Sequence, residues 1–429
     1  MAKEIRIAEL FAGVGGFRLG LDGYGHPGDR FYMEPAGPFK TVWANQWEPA
    51  GQETRQFAWR CYESHFGEGS CVNEDIAKVL DDVAEGKTTI PEFDMVVGGF
   101  PCQDYSVAKP LAYAEGIEGK KGVLWWSINR LLEMRHPKYV LLENVDRLLK
   151  SPVAQRGRDF AIILSCLHRL GYSVEWRVIN AADYGMPQRR RRVYLYAELE
   201  AATWNLQDRL LHSGIEARAF PCNPDERFSP NEFIIGDDPY EATETFGKGD
   251  KTSKFHEAGV MQHGHVLTMR VKPVYAGHRK TLGDVLVPVE EVPEEFFITN
   301  DKLASWTYLK GAKKELRTTK TGYEYTYSEG PVAFPDSLDS PSRTILTGEG
   351  GRGASRTKHV VEQDGRLRRL VPDELDQLQE FPKGWTSGMS DGHRAFCMGN
   401  ALVTGIPHRI GKVMAVDIAL RTRQQLDNE

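Results

Sequence analysis

The sequence predicts an α/β fold, in which short buried strands alternate with helices through about the first 200 residues. Apolar runs recur near residues 5, 39, 94, 139, 174 and 193, and short runs of this kind bounded by turn residues are typical of buried strands. Longer segments with helical apolar spacing lie between them, for example residues 123–135 and 160–170. From about residue 199 to 340 the alternation is lost, which indicates a second, irregular domain.

Length and composition describe an ordinary globular protein. A chain of 429 residues suggests two or three domains. No apolar run is long enough to span a bilayer, and the first residues lack a signal-peptide pattern, so we expect a cytoplasmic protein. The six cysteines are scattered without a C-x-x-C pair, which argues against a structural zinc site or disulfides. Because the net charge is −6, any nucleic-acid binding must use local basic patches.

The first strand, residues 5–11, leads into a glycine turn and the start of a helix. This turn runs through Phe11, Ala12, Gly13, Gly15, Gly16 and Phe17. Strand, glycine turn and helix in this order are typical of a nucleotide or nucleoside site. The third glycine of a dinucleotide pattern, however, would fall at Arg18, so the pattern does not fit a dinucleotide. A purely structural turn is the alternative.

The second strand ends in a short polar and aromatic segment. Gln46 and Glu48 flank Trp47 there, and an acidic group at this strand end holds the ribose hydroxyls in α/β nucleoside sites. The Trp47 ring could stack on adenine or merely pack. Asp75, which precedes Ile76, offers an acceptor for an exocyclic amine, although an aspartate before a helix is equally well explained as an N-cap.

The third strand places a thiol at the predicted ligand-binding edge. Residues 94–97 form the apolar run, Gly98 and Gly99 end it, and Pro101 stiffens the backbone before Cys102. Ligands of open α/β sheets bind at the carboxyl ends of the strands. The alternative is a small buried cysteine, since free cysteines are commonly buried.

Two further segments bring charged groups toward the same edge. The strand at 139–142 is followed directly by Glu143, which could cap a helix or act as a catalytic acid. In the arginine run at 189–192, the alternation of an extended chain predicts that Arg190 and Arg192 share one face. Between Cys102 and the next helix lies a stretch without periodicity, residues 103–122, and long loops in compact domains are usually functional or disordered.

Residues 300–370 differ in charge from the rest of the chain, with 13 lysines and arginines against 9 acidic residues. Aromatic residues are interleaved with these basic residues. A glycine-rich segment at 348–353 is flanked by Arg343 and Arg356. Such a composition suits contact with DNA, without being specific to it.

Six ordered segments together resemble the DNA (cytosine-5) methyltransferase family. They are residues 11–16, Gly-Phe-Pro-Cys-Gln at 99–103, Glu-Asn-Val at 143–145, the run 188–192, residues 366–370 and Gly-Asn at 399–400. The resemblance covers about residues 5–197 and 341–412. It implies a doubly wound, Rossmann-like S-adenosylmethionine-dependent methyltransferase domain at 1–198, an irregular target recognition domain and hinge at 199–392, and a C-terminal helix at 393–429 that completes the first domain.

The resemblance also implies site residues. For S-adenosylmethionine these are the glycine turn named above together with Gln46, Trp47, Glu48, Asp75, Ile76, Gly99, Pro101, Leu124, Asn400, Ala401 and Val403. The catalytic residues are Cys102, Glu143, Arg192, Arg190, Pro101 and Gln103. The DNA contacts are Ser106, Lys121, Arg343 and Thr344. Two positions depart from the family pattern, because Gln46 stands where glutamate is usual and Ala401 where serine is frequent. Whether Gln46 or Glu48 holds the ribose is left open.

Cytosine methylation at C5 requires these residue types. Addition of a thiolate to C6 makes C5 nucleophilic, and Cys102 supplies the thiol. A carboxylic acid at N3, here Glu143, accepts the charge that develops, and a cation near O2, here Arg192 with Arg190 in support, polarises the ring further. The base must be flipped out of duplex DNA, with the 103–122 segment closing over it. No metal is required.

Three alternatives remain at this point. The first is a cytosine-5 methyltransferase that acts on RNA, which would not need the long region 199–340. The second is a catalytically silent DNA-binding relative, which would lack the thiol or the carboxylate. The third is a nicotinamide-dependent oxidoreductase, which the misplaced third glycine disfavours. We expect a monomer on double-stranded DNA, associated with the nucleoid when bound, whose cognate restriction endonuclease would be a genetic rather than a physical partner.

Overall fold

All six strands that the apolar runs predict are present in the computed structural model, which describes residues 4–48, 56–100, 124–319 and 322–428. The two predicted helices are also present, with bounds that differ by one or two residues. The six strands are β1 (Ile5–Leu10), β2 (Phe39–Asn45), β3 (Met95–Gly99), β4 (Tyr139–Val145), β5 (Tyr172–Asn180) and β6 (Arg191–Leu199).

Shorter strands occupy the second half of the chain. They are β7 (Cys222–Pro224), β8 (Asn231–Ile234), β9 (Ala258–Gln262), β10 (His265–Met269), β11 (Val271–Pro273), β12 (Lys313–Thr318), β13 (Glu324–Glu329), β14 (Val360–Gln363) and β15 (Arg366–Arg369). Among the described residues, the α-helices of five or more residues are α1 (Gly16–Asp22), α2 (Phe57–Phe66), α3 (Ile76–Ala84), α4 (Leu124–Arg135), α5 (Arg158–Arg169), α6 (Ile215–Ala219), α7 (Pro239–Thr245), α8 (Asn300–Lys310), α9 (Pro372–Leu378), α10 (Asp391–Asn400) and α11 (Gly405–Asn428).

Nine strands form one mixed sheet in the order β2-β1-β3-β4-β6-β5-β9-β10-β8. The strands β2, β1, β3 and β4 run parallel, and the remaining pairs are antiparallel. From β1 the chain passes to β2 on one side and then to β3 on the other, so the winding direction reverses at β1. Ligands of open α/β sheets bind at the carboxyl ends of the strands beside such a switch point. The glycine turn after β1 and the end of β3 therefore lie at the edge expected to bind a ligand.

The two faces of this sheet differ in chemistry. One face is apolar, and its central row is a line of paired, fully buried residues across six strands, namely Ala8, Val96, Val140, Ala197, Val174 and Met261. On the other face, Glu143 of β4 pairs with Gly99 on one side and with Tyr194 on the other, and Tyr194 pairs in turn with Arg177. The apolar face is the main core of the sheet, and the polar face carries the candidate chemistry.

Charged groups on the polar face are buried and paired. Glu175 of β5 is 2% exposed; it accepts a hydrogen bond from Nε of Arg209 at 2.6 Å and another from the backbone N–H of Glu216 at 3.0 Å. Glu198 of β6 is bound by Arg421 of α11. Because unpaired charges are costly to bury, these pairs explain how helices α6 and α11 cover a polar surface.

The chain divides into two compact units. Within the described residues, the first comprises residues up to Tyr184, Arg190–Gly277, and the segment from Leu402 onward; the second comprises Gly185–Arg189 and His278–Ala401. This division differs from the predicted boundaries at 198/199 and 392/393, because β8, β9 and β10 extend the nine-stranded sheet. The sequence pattern indicates these strands only weakly, because they are at most five residues long and are separated by turn residues.

The second unit is organised around a small core and a buried ion pair. Trp306 of α8 is 1% exposed. Arg368 of β15 binds Glu374 of α9 through two hydrogen bonds of 2.6 and 2.9 Å, and both side chains are fully buried. A two-bond arginine–carboxylate pair fixes geometry strongly, so the pair joins β15 rigidly to α9.

The described residues contain neither a membrane-spanning helix nor a cluster of metal ligands. No helix there is both long and apolar enough to cross a membrane. The same residues contain no group of three or more histidine, cysteine, aspartate or glutamate side chains that could hold a metal ion.

Candidate active site

The turn between β1 and α1 requires glycine for steric reasons. Gly13 and Gly15 have φ values of +56° and +87°, in the region that side chains other than glycine rarely adopt. A Cβ atom at Gly15 would lie 2.5 Å from Cε2 of Phe66 on α2. The turn therefore packs closely against α2 at Gly15, and Gly13 is the residue of the turn that stays partly accessible.

Gln46, which replaces the usual family glutamate, supports this turn. Its Oε1 accepts a hydrogen bond from the backbone N–H of Gly13 at 2.8 Å, and its backbone carbonyl accepts one from Asn73 at 2.7 Å. The end of β2 is thus tied to the glycine turn. An amide oxygen accepts this bond as a carboxylate oxygen would, so the departure at residue 46 preserves the contact while removing a negative charge.

The other predicted residues near β2 have mixed environments. Trp47 and Glu48 are half-buried, and the backbone of Glu48 exchanges two hydrogen bonds with the side chain of Gln56. Asp75 is the N-cap of α3, where its Oδ1 accepts from the N–H of Ala77 at 2.9 Å. The capping role considered from the sequence is therefore present, and it uses one of the two carboxylate oxygens.

Glu9 is a buried residue near the glycine turn whose role the sequence pattern does not predict. Its side chain is fully buried. Oε2 accepts from the hydroxyl of Tyr62 at 2.9 Å, and Oε1 accepts from the backbone N–H of Arg18, in the first turn of α1, at 3.3 Å. Burial raises the pKa of Glu9 to about 7. The only sequence signal is an acidic residue within an apolar strand, which suggests a buried polar contact without naming its partner.

Glu143, the predicted catalytic acid, lies near the end of β4, two residues before Val145, and beside an arginine. Its Oε1 lies 3.0 Å from Nε of Arg192, and the two side chains are 13% and 18% exposed. A Cβ atom at the neighbouring Gly99 would lie 3.1 Å from Oε2 of Glu143, so glycine leaves room for the carboxyl group. Burial raises the pKa of Glu143, and the charges of Arg192 and Arg190 oppose that rise.

Arg190 and Arg192 share one environment, as the alternation of the run predicts. Arg190 is 2% exposed, and burial together with the charge of Arg192 lowers its pKa to about 10. Nη1 of Arg192 donates to the carbonyl of Arg191 at 2.7 Å. Arg190 thus lies behind the ion pair, whereas Arg192 is partly accessible.

Asn144 links this carboxyl edge to the segment that carries the predicted nucleophile. Its Nδ2 donates to the carbonyl of Phe100 at 2.7 Å, with both residues buried. Phe100 is the last described residue before the predicted thiol. Five predicted site residues lie outside the described part of the chain, namely Pro101, Cys102, Gln103, Ser106 and Lys121.

Four predicted cofactor residues come from other elements. Leu124 begins α4 and packs against the main core, and Val403 is buried in the first unit. Asn400 and Ala401 end α10 in the second unit. The carbonyl of Ala401 accepts a hydrogen bond from Gln379 at 3.1 Å.

The second unit contains the remaining predicted DNA contacts. Gln188, fully buried, accepts from the N–H of Ile345 and donates to the carbonyl of Leu378, both at 3.0 Å. Thr344 donates to the carbonyl of Arg189 at 2.5 Å. The guanidinium of Arg343 binds both oxygens of Asp336, at 2.7 and 3.1 Å. Arg343 therefore has a structural partner already, and its contact with DNA stays a prediction.

Comparisons with known proteins indicate the family to which this chain belongs. The family model described as C-5 cytosine-specific DNA methylase matches residues 5–415. The type II methyltransferase M.Sau3AI of Staphylococcus aureus is 44% identical over 95% of this chain and 95% of its own length. M.HhaI of Haemophilus parahaemolyticus is 32% identical over 44% of this chain and 48% of its own length.

Solved structures show the same fold. The S. pombe Dnmt2 methyltransferase aligns with a TM-score of 0.56 over 96% of this chain and 99% of its own, at 15% identity. The Entamoeba histolytica methyltransferase EhMeth aligns with a TM-score of 0.54 over 97% and 99%, at 13% identity. The predicted fold class is thereby confirmed. The chain belongs to the C-5 cytosine-specific DNA methylase family, which confirms the predicted enzyme class and its function as a DNA cytosine-5 methyltransferase.

Proposed function

We propose that this enzyme methylates C5 of a cytosine flipped out of duplex DNA at one specific sequence, by way of a covalent bond between Cys102 and C6. The observation that carries the proposal is the pair formed by Glu143 and Arg192. The carboxyl group of Glu143 has a raised pKa and is partly accessible, and Glu143 lies near the end of β4, which pairs with the strand that precedes Cys102.

Glu143 suits the role of acid at N3 of the base. A raised pKa keeps a larger fraction of the carboxyl protonated near neutral pH, and only the protonated form can donate to N3. Its other oxygen would accept from the N4 amine. Arg192 holds the carboxyl in place through Nε and would polarise O2 of the base, which lowers the cost of the negative charge that develops during attack.

The proposed reaction has three steps, namely addition of Cys102, methyl transfer and elimination. The thiolate adds to C6 while N3 takes the proton of Glu143, which leaves C5 electron-rich. C5 then takes the methyl group from the donor. Loss of the C5 proton to solvent water and return of the N3 proton to Glu143 restore the ring and expel the thiolate. Asn144, which binds the carbonyl of Phe100, supports the start of the segment that would present the thiol.

Methyltransferases of this family use S-adenosylmethionine, which supplies an electrophilic methyl group. The residues at the carboxyl ends of β1 and β2 fit that ligand, because the turn holds three glycines, Gly13, Gly15 and Gly16, with the side chain of Val14 buried between them, and Gln46 binds the backbone N–H of Gly13. We assign Trp47 to the adenine ring, Asp75 to the adenine amine, and Gln46 or Glu48 to the ribose. The capping bond at Asp75 uses Oδ1, and the other carboxylate oxygen has no hydrogen-bond partner among the described residues, which is consistent with this second role.

We further propose that the second unit, together with part of residues 199–277, recognises the DNA sequence. The basic and aromatic residues of 300–370 support this assignment. The similarity to type II methyltransferases supports a role in restriction and modification, with a cognate endonuclease encoded nearby as a genetic partner. The protein would act as a monomer on DNA in the cytoplasm.

Sequencing of methylated DNA tests the proposal. DNA from a host that expresses the protein should contain 5-methylcytosine at one short sequence, and the Cys102→Ser variant should produce none. A matched control, Cys61→Ser, alters a buried cysteine of α2 and should retain the pattern. Methylation confined to RNA, or absent with the wild-type protein, would overturn the proposal.

A further inference from the structure

The glycine-rich segment 348–353 of the second unit is held by a lysine clamp. Nζ of Lys358 donates to the carbonyls of Gly351 and Gly353, both at 2.7 Å. Nη1 of Arg369 donates to the carbonyl of Gly351 at 3.0 Å. The carbonyls of the residues before and after Arg352 are therefore both bound, although the segment is rich in glycine.

The start of the same segment is anchored in the interior. Glu349 is 4% exposed; its carboxylate accepts from the backbone N–H of His359 at 3.0 Å and lies 2.9 Å from Nδ1 of the same residue. A Cβ atom at Gly351 would lie 2.8 Å from Nζ of Lys358, so a side chain there would displace the ammonium group from its present position. Packing thus holds the segment in one conformation.

Arg352 stands apart from its neighbouring arginines. Arg343 binds Asp336, and Arg356 donates to the carbonyls of Leu309 and Gly311. Arg352, by contrast, is exposed and has no partner among the described residues. At Gly353, beside it, an added Cβ would meet nothing within 4 Å. A rigid backbone with open space on one side therefore presents a single unpaired guanidinium.

We propose that Arg352 reads a guanine of the target site by donating two hydrogen bonds to its O6 and N7 atoms in the major groove. This inference rests on the proposed function, since it assumes a DNA substrate. The guanidinium fork matches that pair of acceptors, and this is the commonest specific contact between proteins and bases. The clamp fixes the backbone before DNA binds, which reduces the entropy lost on binding. The adjacent glycines allow close approach to the base edges.

Substitution of single guanines by 7-deazaguanine tests this assignment. The analogue lacks the N7 acceptor but pairs normally with cytosine. Once the methylated sequence is known, each guanine of the site is replaced in turn, and kcat/KM for methylation is measured. For the wild-type enzyme we expect a loss of about 10-fold at one guanine. Arg352→Ala should lose about 10- to 100-fold on the unmodified site and show no further loss with the analogue at that guanine.

Two other variants separate guanine reading from a simple charge effect. Arg352→Lys keeps the charge but not the fork, so it should resemble Arg352→Ala in its response to the analogue. Arg366→Ala, which removes an exposed arginine paired with Glu294, should respond to the analogue as the wild type does. Circular dichroism and melting temperature should be unchanged in all three.

Each contrary result identifies what has failed. If Arg352→Ala responds to the analogue at every guanine as the wild type does, Arg352 does not read guanine. A second contrary result would be that Arg352→Ala lowers kcat/KM equally on all sequences and reduces the salt dependence of binding by about one counterion. If Arg352→Lys also restores the activity, the residue contacts phosphate and the assignment is wrong. If the wild-type enzyme methylates no DNA, the proposed function fails together with this inference, whereas the first two results leave that function standing.

Discussion

Two glutamates on the polar face of the central sheet, Glu9 and Glu143, share a raised pKa but differ in their partners. Burial is the largest cause of the rise in both. Glu9 is fully buried, and its carboxylate accepts from a neutral tyrosine hydroxyl and a backbone N–H. Glu143 remains 13% exposed and lies against the guanidinium of Arg192.

This difference in partners and exposure suggests different roles, a structural one for Glu9 and a reactive one for Glu143. Glu9 is closed off from solvent, so its hydrogen bonds serve to hold α1 and α2 around the glycine turn. Glu143 stays accessible at the edge of the sheet, where a base could enter. Its two arginine neighbours would stabilise the carboxylate once the proton has been transferred. A raised pKa alone is therefore a weak guide to catalysis, and accessibility decides between the two roles.

The largest expected effect is that of Glu143→Gln. An amide cannot supply the N3 proton, so kcat should fall by about 100- to 10,000-fold, while cofactor binding and melting temperature change little. Single-turnover methylation of a duplex measures the rate. Glu9→Gln is the matched variant, and a loss of kcat as large as that of Glu143→Gln would contradict the separation of roles.

Arg192→Gln should have the next largest effect, a loss of about 100-fold in kcat, typical of removing one electrostatic contact to a developing charge. The pH profile provides an independent readout. Because Arg192 lowers the pKa of Glu143, its removal should raise that pKa further. Activity that requires protonated Glu143 declines as pH rises through this pKa, so the decline should shift to higher pH. A shift to lower pH would show that another group controls it.

Glu9→Gln should alter stability rather than chemistry. The pKa of Glu9 is raised from 4.5 to about 7, so the folded protein binds more protons than the unfolded chain between these pH values. The contribution of Glu9 to the free energy of unfolding is then fully present below about pH 4.5 and is lost as pH rises toward 7, by roughly 1.4 kcal/mol per unit of pKa shift. Chemical denaturation at several pH values should show a flatter dependence in Glu9→Gln, and an unchanged slope would refute this.

The smallest effects concern the cofactor. Trp47→Ala should weaken S-adenosylmethionine binding by roughly 1–3 kcal/mol, the range for stacking of a base on an aromatic side chain. Calorimetry on the folded variant measures this, and an unchanged Kd would remove Trp47 from the adenine site.

Gln46→Glu provides the companion test of the ribose pocket. A glutamate retains the acceptor for the N–H of Gly13 and adds a charge beside the proposed ribose position. Tighter binding would assign the ribose to residue 46, whereas unchanged binding would favour Glu48.

The sequence predicts those features of the fold and site that depend on local patterns of residues along the chain. Apolar runs located β1 to β6, and the alternation of extended residues placed Arg190 and Arg192 together. Contacts over long sequence separations are not predictable in this way: the hydroxyl of Tyr62 reaches Glu9 across 53 residues, and Lys358 binds two carbonyls of the glycine-rich segment. Strands β8 to β10, on one side of the sheet, are not predicted because strands this short gain their stability from the sheet rather than from local propensity.

The account depends most on Cys102 as the nucleophile, and a C5-fluorinated cytosine in the target site tests this directly. Attack at C6 and methyl transfer can proceed, but fluorine cannot leave as a cation, so the thiolate is not expelled. The wild-type enzyme with cofactor should give a protein–DNA complex that survives denaturing electrophoresis, with the linked peptide containing Cys102. Glu143→Gln should form it slowly, and Cys102→Ser should not form it, because a hydroxyl is almost wholly protonated at neutral pH. A complex that persists in Cys102→Ser, linked through another residue, would contradict the account.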